Sequence, residues 1–182
     1  MMNKLERKKM ENNTSLFVHH YVSPIGSIEI ISNEINLLSV LFLDAVTKAA
    51  KGFQVTQQLS NPIKSCKEQL TEYFIGSRKK FHLPIQQIGT DFQLKVWAEL
   101  DNIQFGNTIT YLQQSKKIGH EKAIRAVGTC NGNNQFNIIV PCHRVVGSNG
   151  ALTGYGGDVW RKKWLLEHEQ KFTNHSNNGK LF

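Results

Sequence analysis

The sequence predicts a mixed α/β protein of the α+β kind, with a small β-rich N-terminal domain followed by a mainly helical C-terminal domain that contains a helix-turn-helix. Two patterns indicate this. Between Leu16 and Leu43, short apolar runs alternate with turn residues, which is typical of antiparallel strands. After Thr90, apolar residues recur at helical spacing, and a tight turn separates two predicted helices. A chain of 182 residues is long enough for one domain or two small ones.

The N-terminal domain begins as a predicted meander of short strands. The turn at residues 23–26 separates the first two strands, and a third is expected at 37–43. Residues 65–68 read Ser-Cys-Lys-Glu, which has the form of a capping box, so we expect a helix to open there and to end at Gly76. Residues 78–88 are predicted to be a linker that carries a short strand.

The C-terminal domain begins with a second candidate capping box at residues 90–93, Thr-Asp-Phe-Gln. A helix at 108–117, a turn at 118–120 and a helix at 121–130 follow, in the layout of a helix-turn-helix. We expect the last helix near residues 158–169.

These elements divide the chain into four parts. Residues 1–14, rich in Lys, Glu and Asn, are predicted to be a disordered tail, and residues 173–182 a second one. The N-terminal domain with its linker takes residues 15–88, and the C-terminal domain takes residues 89–172.

Composition and charge narrow the class of protein. The net charge of +8, from 22 basic and 14 acidic residues, suits a polyanionic partner such as nucleic acid. No apolar run approaches the roughly 20 residues of a membrane-spanning helix, and the first residues lack the apolar core of a signal peptide. We therefore expect a cytoplasmic protein without a membrane partner. Three cysteines, an odd number, indicate free thiols in a reducing compartment.

The tetrapeptide Pro141-Cys142-His143-Arg144 is the most informative motif. The apolar run at 138–140 predicts a buried strand leading into it, and Pro141 fixes the backbone one step before the cysteine. A thiol delivered in this way would be held in place as a nucleophile. Because adjacent side chains on an extended chain point to opposite faces, His143 need not touch the sulfur. Alone, the motif fits several enzyme classes.

Further residues surround this motif in a characteristic order: Phe105-Gly106, Tyr111, Arg125-Ala126-Val127-Gly128, Asn134, Val145-Val146, Gly150, Gly154-Tyr155-Gly156-Gly157, Trp164-Leu165-Leu166 and Glu169. With them, the chain resembles the O6-alkylguanine-DNA alkyltransferase family (methylated-DNA–protein-cysteine methyltransferases) over about residues 90–169. The segment 23–27 and the β region after it resemble the family's RNase H-like N-terminal domain. The resemblance implies a winged-helix-like C-terminal domain that carries the active site.

The resemblance also implies the reaction and the partner. An alkyl group on O6 of guanine, or on O4 of thymine, passes in one step to a cysteine sulfur, and the protein is then spent. Neither a cofactor nor a metal is needed. The partner is double-stranded DNA, with the damaged nucleotide flipped out of the stack, and the protein is expected to be a monomer associated with the nucleoid when bound.

Catalytic roles carry over to five residues. Cys142 is the nucleophile, and His143 is the base that activates it through a water, because a free thiol is mostly protonated at neutral pH. Glu169 orients the imidazole, Asn134 holds the chain around the site, and Tyr111 offsets the negative charge that builds on the departing guanine.

Binding roles carry over to the second helix of the helix-turn-helix and to the pocket. The helix at 121–130 enters the minor groove, Arg125 fills the gap left in the stack, and Ala126 and Gly128 permit a close approach. The implied pocket residues are Tyr155, Val145, whose backbone reads the exocyclic amine of guanine, and Gly156, whose N–H reaches the O6 atom.

Three other classes of protein were weighed against this one. They are a lesion-binding protein of the same fold without chemistry, a Cys-His-Glu hydrolase that turns over, and a helix-turn-helix regulator. We further expect Trp97, Trp160 and Trp164 to lie in the core and residues 161–163, Arg-Lys-Lys, to form a solvated helix face. No metal site is predicted, since the histidines and cysteines lack the spacing of zinc ligands.

Overall fold

The computed structural model of the chain describes residues 16–43 and 59–177. The predicted tail at 1–14 and residues 178–182 lie outside this part. Three antiparallel strands form one sheet in the order β1-β2-β3, with bounds β1 Phe17–Ser23, β2 Gly26–Ser32 and β3 Leu37–Phe42. The predicted meander is confirmed. The turn between β1 and β2 ends at Gly26, whose φ of 113° suits glycine.

Helix α1, Asn61–Phe74, packs against the sheet. Its N-cap is Ser60, whose side chain accepts a hydrogen bond from the backbone N–H of Ile63, and Pro62 stands in the first turn, where its fixed φ suits a helix. The predicted start at the 65–68 capping box is therefore wrong, because those residues lie inside a helix that is already capped. The predicted end is confirmed, since Gly76 follows at φ 81°.

The linker at 78–88 runs beside β3. Leu37 donates its backbone N–H to Pro84 at 2.7 Å and accepts one from Gln86 at 2.9 Å. These bonds make one parallel bridge, Leu37 to Ile85, instead of the predicted short strand.

The helix-turn-helix is confirmed, with shifted ends. The elements of this half are α2 Asp91–Leu100, β4 Ile109–Thr110, α3 Tyr111–Lys117, a 3₁₀ turn Glu121–Ala123 and α4 Ile124–Gly132. The helix-turn-helix consists of α3, the turn after it and α4. Thr90 forms the predicted capping box with Gln93. Thr110 forms another with Gln113, so α3 begins three residues later than expected. Gly119 makes the turn at φ 77°.

The apolar run at 138–140 is buried but is not a strand, so that prediction is wrong. The chain just before the segment pairs with β3 at one bridge, Phe136 to Val40, and residues 138–140 themselves form local turns. Ile138 has a φ of 71°, which a strand excludes. The tetrapeptide continues as a 3₁₀ helix, Cys142–Arg144, followed by β5, Val145–Val146, which pairs in parallel with β4.

The last helix, α5, spans Val159–Asn177 and is longer than predicted. Residues 173–177, expected in a tail, belong to it, because Phe172 packs at Gly76 and Thr173 packs at Gly106. Residues 161 and 162 do not form a solvated face, since Arg161 is 3% exposed and Lys162 is fully buried.

A single apolar cluster joins the sheet, α1 and the helical half. Trp97 lies in it and Trp164 packs against it, whereas Trp160 is 52% exposed and not in the core as predicted. None of the helices in the described ranges is long and apolar enough to cross a membrane.

Candidate active site

Cys142 begins the 3₁₀ helix, and its side chain is buried at 3% exposure. Asn134 holds this point of the chain. Its Nδ2 donates to the backbone oxygen of Val140 at 2.8 Å, to that of Phe136 at 3.2 Å and to the Cys142 Sγ at 3.2 Å. Its Oδ1 accepts from the backbone N–H of Phe136 at 3.0 Å. The amide of Asn134 thus fixes the turn before the cysteine and contacts the sulfur itself.

The thiol of Cys142 rests in its neutral form. Burial raises its pKa, while the hydrogen bond from Asn134 and the positive charge of Lys162 act in the opposite direction. A thiol is a weak nucleophile, so proton removal must accompany its reaction.

His143 and Glu169 form a fully buried pair, with 2.9 Å between the imidazole Nε2 and the carboxylate Oε1. Burial lowers the pKa of His143, although the nearby carboxylate opposes that change. No residue in the described part of the chain hydrogen-bonds the other ring nitrogen, Nδ1. A neutral imidazole with one oriented N–H and one open nitrogen can accept a proton at Nδ1.

Glu169 accepts more hydrogen bonds than the sequence predicts. Arg144 reaches it through Nε and Nη2, both at 3.0 Å, the backbone N–H of Gly106 donates at 2.9 Å, and the hydroxyl of Tyr73 donates at 2.9 Å. Burial alone would raise the pKa of Glu169, but His143 and Arg144 outweigh it and hold the pKa well below its usual range. The carboxylate is charged and fixed.

Lys162 also lies in this cluster, although the sequence pattern did not place it there. Its Nζ donates to the backbone oxygens of Val145 at 2.6 Å and Thr153 at 2.8 Å, and lies 3.4 Å from the hydroxyl of Tyr111. Burial lowers its pKa to about 8, with Cys142 opposing. One signal could have revealed it: Lys162 stands seven residues before Glu169 and therefore shares its helix face.

Two tyrosines border this cluster, Tyr111 near Lys162 and Tyr155 near His143. The Tyr111 hydroxyl donates to the Thr153 backbone oxygen at 2.9 Å. The ring of Tyr155 is buried with its centre 6.4 Å from that of His143, and within the described ranges its hydroxyl has no hydrogen-bond partner.

The loop that carries Tyr155 needs its glycines. A Cβ on Gly156 would come within 3.1 Å of the backbone oxygen of Gly132, and one on Gly157 within 2.6 Å of the Phe42 ring. The loop therefore closes over both the end of α4 and the sheet.

The predicted binding residues on α4 lie at its surface. Arg125 and Ala126 are exposed. Gly128 is half-buried, and a Cβ there would lie 3.8 Å from the Tyr111 ring. The structure thus brings Asn134 to Cys142, His143 to Glu169, and Tyr111 to Val145 through Lys162. The catalytic and binding roles of these residues stay predictions, and the described ranges hold no group of three or more His, Cys, Asp or Glu side chains arranged to bind a metal.

Comparisons with known proteins bear on this arrangement. Residues 16–87 match the ribonuclease-like domain of 6-O-methylguanine DNA methyltransferase, and residues 91–171 match its DNA binding domain. The constitutive methylated-DNA–protein-cysteine methyltransferase of Bacillus subtilis strain 168 is 43% identical over 152 residues, which cover 81% of this chain and 92% of the relative.

Solved structures are also similar to this chain. The O6-methylguanine methyltransferase of Mycobacterium tuberculosis superposes with a TM-score of 0.79 at 36% identity, covering 86% of this chain and 93% of that one. The same enzyme in complex with DNA also gives a TM-score of 0.79, covering 86% and 94%. With both domains matched in order and nearly the full length of the relatives covered, the chain belongs to the 6-O-methylguanine DNA methyltransferase family.

Proposed function

We propose that this chain repairs alkylated DNA by direct reversal, transferring the alkyl group from O6 of guanine in duplex DNA to the sulfur of Cys142. The observation that carries the proposal is the buried thiol held by Asn134 next to the His143–Glu169 pair. The names of the relatives, methylated-DNA–protein-cysteine methyltransferases, support the same reaction. O4-alkylthymine is a second substrate of this site.

The first half of the reaction prepares the nucleophile. The Cys142 S–H gives its proton, through a bridging water, to Nδ1 of His143, the ring nitrogen that is open for it. Glu169 accepts the Nε2–H hydrogen bond and stabilises the imidazolium that forms. The low proton affinity of Glu169 keeps this proton on the histidine.

The second half moves the alkyl group. A bond forms between Sγ and the alkyl carbon, the bond from that carbon to O6 breaks, and its electron pair enters the guanine ring. The ring then takes up one proton at N1 from water, and His143 returns its proton to water, so both groups end neutral. The hydroxyl of Tyr111, beside the Lys162 ammonium, turns from the Thr153 backbone oxygen and donates its hydrogen bond to the ring as negative charge builds there. The product thioether has no leaving group that water can displace, so each molecule acts once.

Access to the base requires flipping, at a cost of a few kcal/mol. The exposed Arg125 on α4 fills the vacated space, and the small Ala126 and Gly128 let the helix approach the minor groove. The net charge of +8 favours DNA as the partner. We propose that the protein acts as a monomer, in the cytoplasm and at the nucleoid when bound to DNA.

An intact-mass measurement tests the proposal. The protein is incubated with a duplex oligonucleotide that carries one O6-methylguanine, and we expect a gain of one methylene per molecule, located on Cys142 by peptide mapping. Cys142→Ala should gain no mass while it still binds the duplex. Cys130→Ala, the matched control at another buried cysteine, should react like the wild type.

Other outcomes identify the alternatives. Repeated turnover without a mass gain on the protein would indicate a hydrolase. Binding of the lesion without any repair would indicate a lesion-binding protein. Binding of DNA without repair and without preference for the lesion would indicate a helix-turn-helix regulator.

A further inference from the structure

The N-terminal half of the chain places one polar atom inside the proton-handling cluster. Tyr73 lies near the end of α1 and is fully buried, and its hydroxyl donates to Oε1 of Glu169 at 2.9 Å. This is the same oxygen that pairs with Nε2 of His143 at 2.9 Å. Tyr73, which lies 96 positions before Glu169 in the sequence, therefore shares this acceptor with the proposed base.

The ring of Tyr73 is held independently of its hydroxyl. It packs against Phe81, Phe105 and His168, with ring centres 5.5, 6.0 and 5.2 Å away. The backbone oxygen of Tyr73 also pairs with Nε2 of His168 at 2.9 Å. Because these contacts do not involve the hydroxyl, removing that one oxygen leaves the packing in place.

The phenol can act only as a donor here. Burial and the neighbouring Glu169 charge raise the pKa of Tyr73 well above its usual range, so the hydroxyl keeps its proton throughout the physiological range. A hydrogen bond donated to a carboxylate stabilises its charged form and lowers its affinity for a proton. A less basic carboxylate in turn stabilises a neighbouring imidazolium less.

We propose that Tyr73 is a positioning residue for alkyl transfer: through its hydrogen bond to Glu169, the N-terminal domain sets the orientation and the basicity of His143. This inference rests on the proposed function. It gives the N-terminal domain a chemical role in a reaction whose other groups all come from the C-terminal half.

Other charged and titratable groups face the same pair. Arg144 and the backbone N–H of Gly106 also bind the Glu169 carboxylate. Lys162 on α5 acts on His143 through its charge, and His168, on the same helix, feels the charge of Glu169. Tyr155 and Cys142 complete the surroundings. Tyr73→Phe leaves all of these in place, so a change can be assigned to the hydroxyl.

The test is the pH profile of single-turnover methyl transfer from an O6-methylguanine duplex. The rate falls on the acid side as His143 takes up a proton. In Tyr73→Phe, Glu169 loses a donor and binds the imidazolium more strongly, so the acid limb should move to higher pH. We expect a shift of roughly half to one pH unit, because only part of the effect of a hydrogen bond to Glu169 reaches the imidazole. A ¹⁵N NMR titration of His143 should shift equally.

A second variant keeps the hydroxyl and should shift the acid limb in the opposite direction. A 3-fluorotyrosine at position 73 is a stronger donor, so its acid limb should move to lower pH. Tyr21→Phe is the control, since the Tyr21 hydroxyl pairs with Thr71 on the same helix, at 3.2 Å, and not with Glu169. Its limb should match that of the wild type.

The two proposals can fail separately. A wild-type protein that gains no methyl group would refute the alkyltransferase function. If the wild-type protein reacts, two results would leave that function standing and overturn the role of Tyr73. One is an acid limb that is unshifted in both Tyr73 variants, and the other is a rate in these variants that is lowered equally at every pH.

Discussion

Two neighbouring lysines on α5 differ in what surrounds them. Lys162 is fully buried with its ammonium on two backbone oxygens and near the Tyr111 hydroxyl, whereas Lys163 is 67% exposed beside Glu167. A buried ammonium is costly unless its donors are used. Here they hold the pocket loop against β5 and strengthen Tyr111 as a donor, which explains why the charge is tolerated.

We therefore expect Lys162→Met to slow methyl transfer by about 10²-fold, the usual effect of losing one group that stabilises developing charge. The measurement is the single-turnover rate with an O6-methylguanine duplex at neutral pH. Lys163→Met is the control and should retain the wild-type rate, because its ion pair with Glu167 is at the surface. Equal rates for the two variants would contradict the role of Lys162.

At the scale of single residues, the local sequence was informative where the two residues in contact are close together in the sequence. Asn134 and Cys142 are eight residues apart and meet in the structure as the motif indicates. Tyr73 and Lys162 were not found, because their partners lie far along the chain or behind a run of charges that resembles a solvated face. A hydrogen bond between residues 96 positions apart cannot be predicted from the local sequence around either of them.

At the scale of elements, the turn of the helix-turn-helix depends on backbone conformation alone. Gly119 has a φ of 77°, and a Cβ there would meet nothing within 4 Å. Gly132, the last residue of α4, also has open space around it but no such φ. Because neither position is crowded, the two glycines isolate the effect of the positive φ.

Gly119→Ala should lower the free energy of unfolding by about 1 kcal/mol, the cost of forcing a side chain into the left-handed region. Gly132→Ala should leave it unchanged or raise it by up to about 1 kcal/mol, because alanine loses less freedom in a helix. Urea denaturation of both variants measures the difference. Equal free energies of unfolding for the two variants would mean that the positive φ does not select glycine at position 119.

The secondary-structure elements were predictable wherever the capping or turn residues and the hydrophobic period indicated the same element. The meander, α2 and the helix-turn-helix follow from turn residues, a capping box and helical spacing. The run at 138–140 was misread because a buried apolar segment looks the same whether it forms a strand or a turn. The start of α1 was misread because two serines, Ser60 and Ser65, could both cap it, and only the first has its partner in place.

At the scale of the whole molecule, Glu169 joins the two halves. Its donors come from α1, from the turn at Gly106 and from the 3₁₀ helix of Cys142–Arg144. The pKa of this carboxyl is lowered from its ordinary value of 4.5, so the unfolded chain binds more protons than the folded one in acid. Stability from this group is complete above about pH 5 and is lost as the pH falls toward the folded pKa.

Glu169→Gln should lower the free energy of unfolding by about 3–5 kcal/mol at neutral pH, because it leaves the buried Arg144 without its counter-charge. The gap between wild type and variant should narrow as the pH falls from about 5 to about 3, since the unfolded wild-type chain takes up a proton at this carboxyl while the folded one does not. Denaturant melts across this range measure it. Glu167→Gln, at an exposed site on the same helix, should stay within about 0.5 kcal/mol of wild type throughout. A gap that is constant with pH would contradict the assignment.

The buried, protonated state of the three thiols affects how long the protein survives before use. Burial raises the pKa of Cys142, of Cys130 and of Cys66, the last to about 12. Small electrophiles that damage DNA react with exposed thiolates, and this protein presents almost none to them. A cell under attack by such reagents therefore keeps its reserve of unreacted molecules, and because each can act once, the size of that reserve sets how many lesions can be removed.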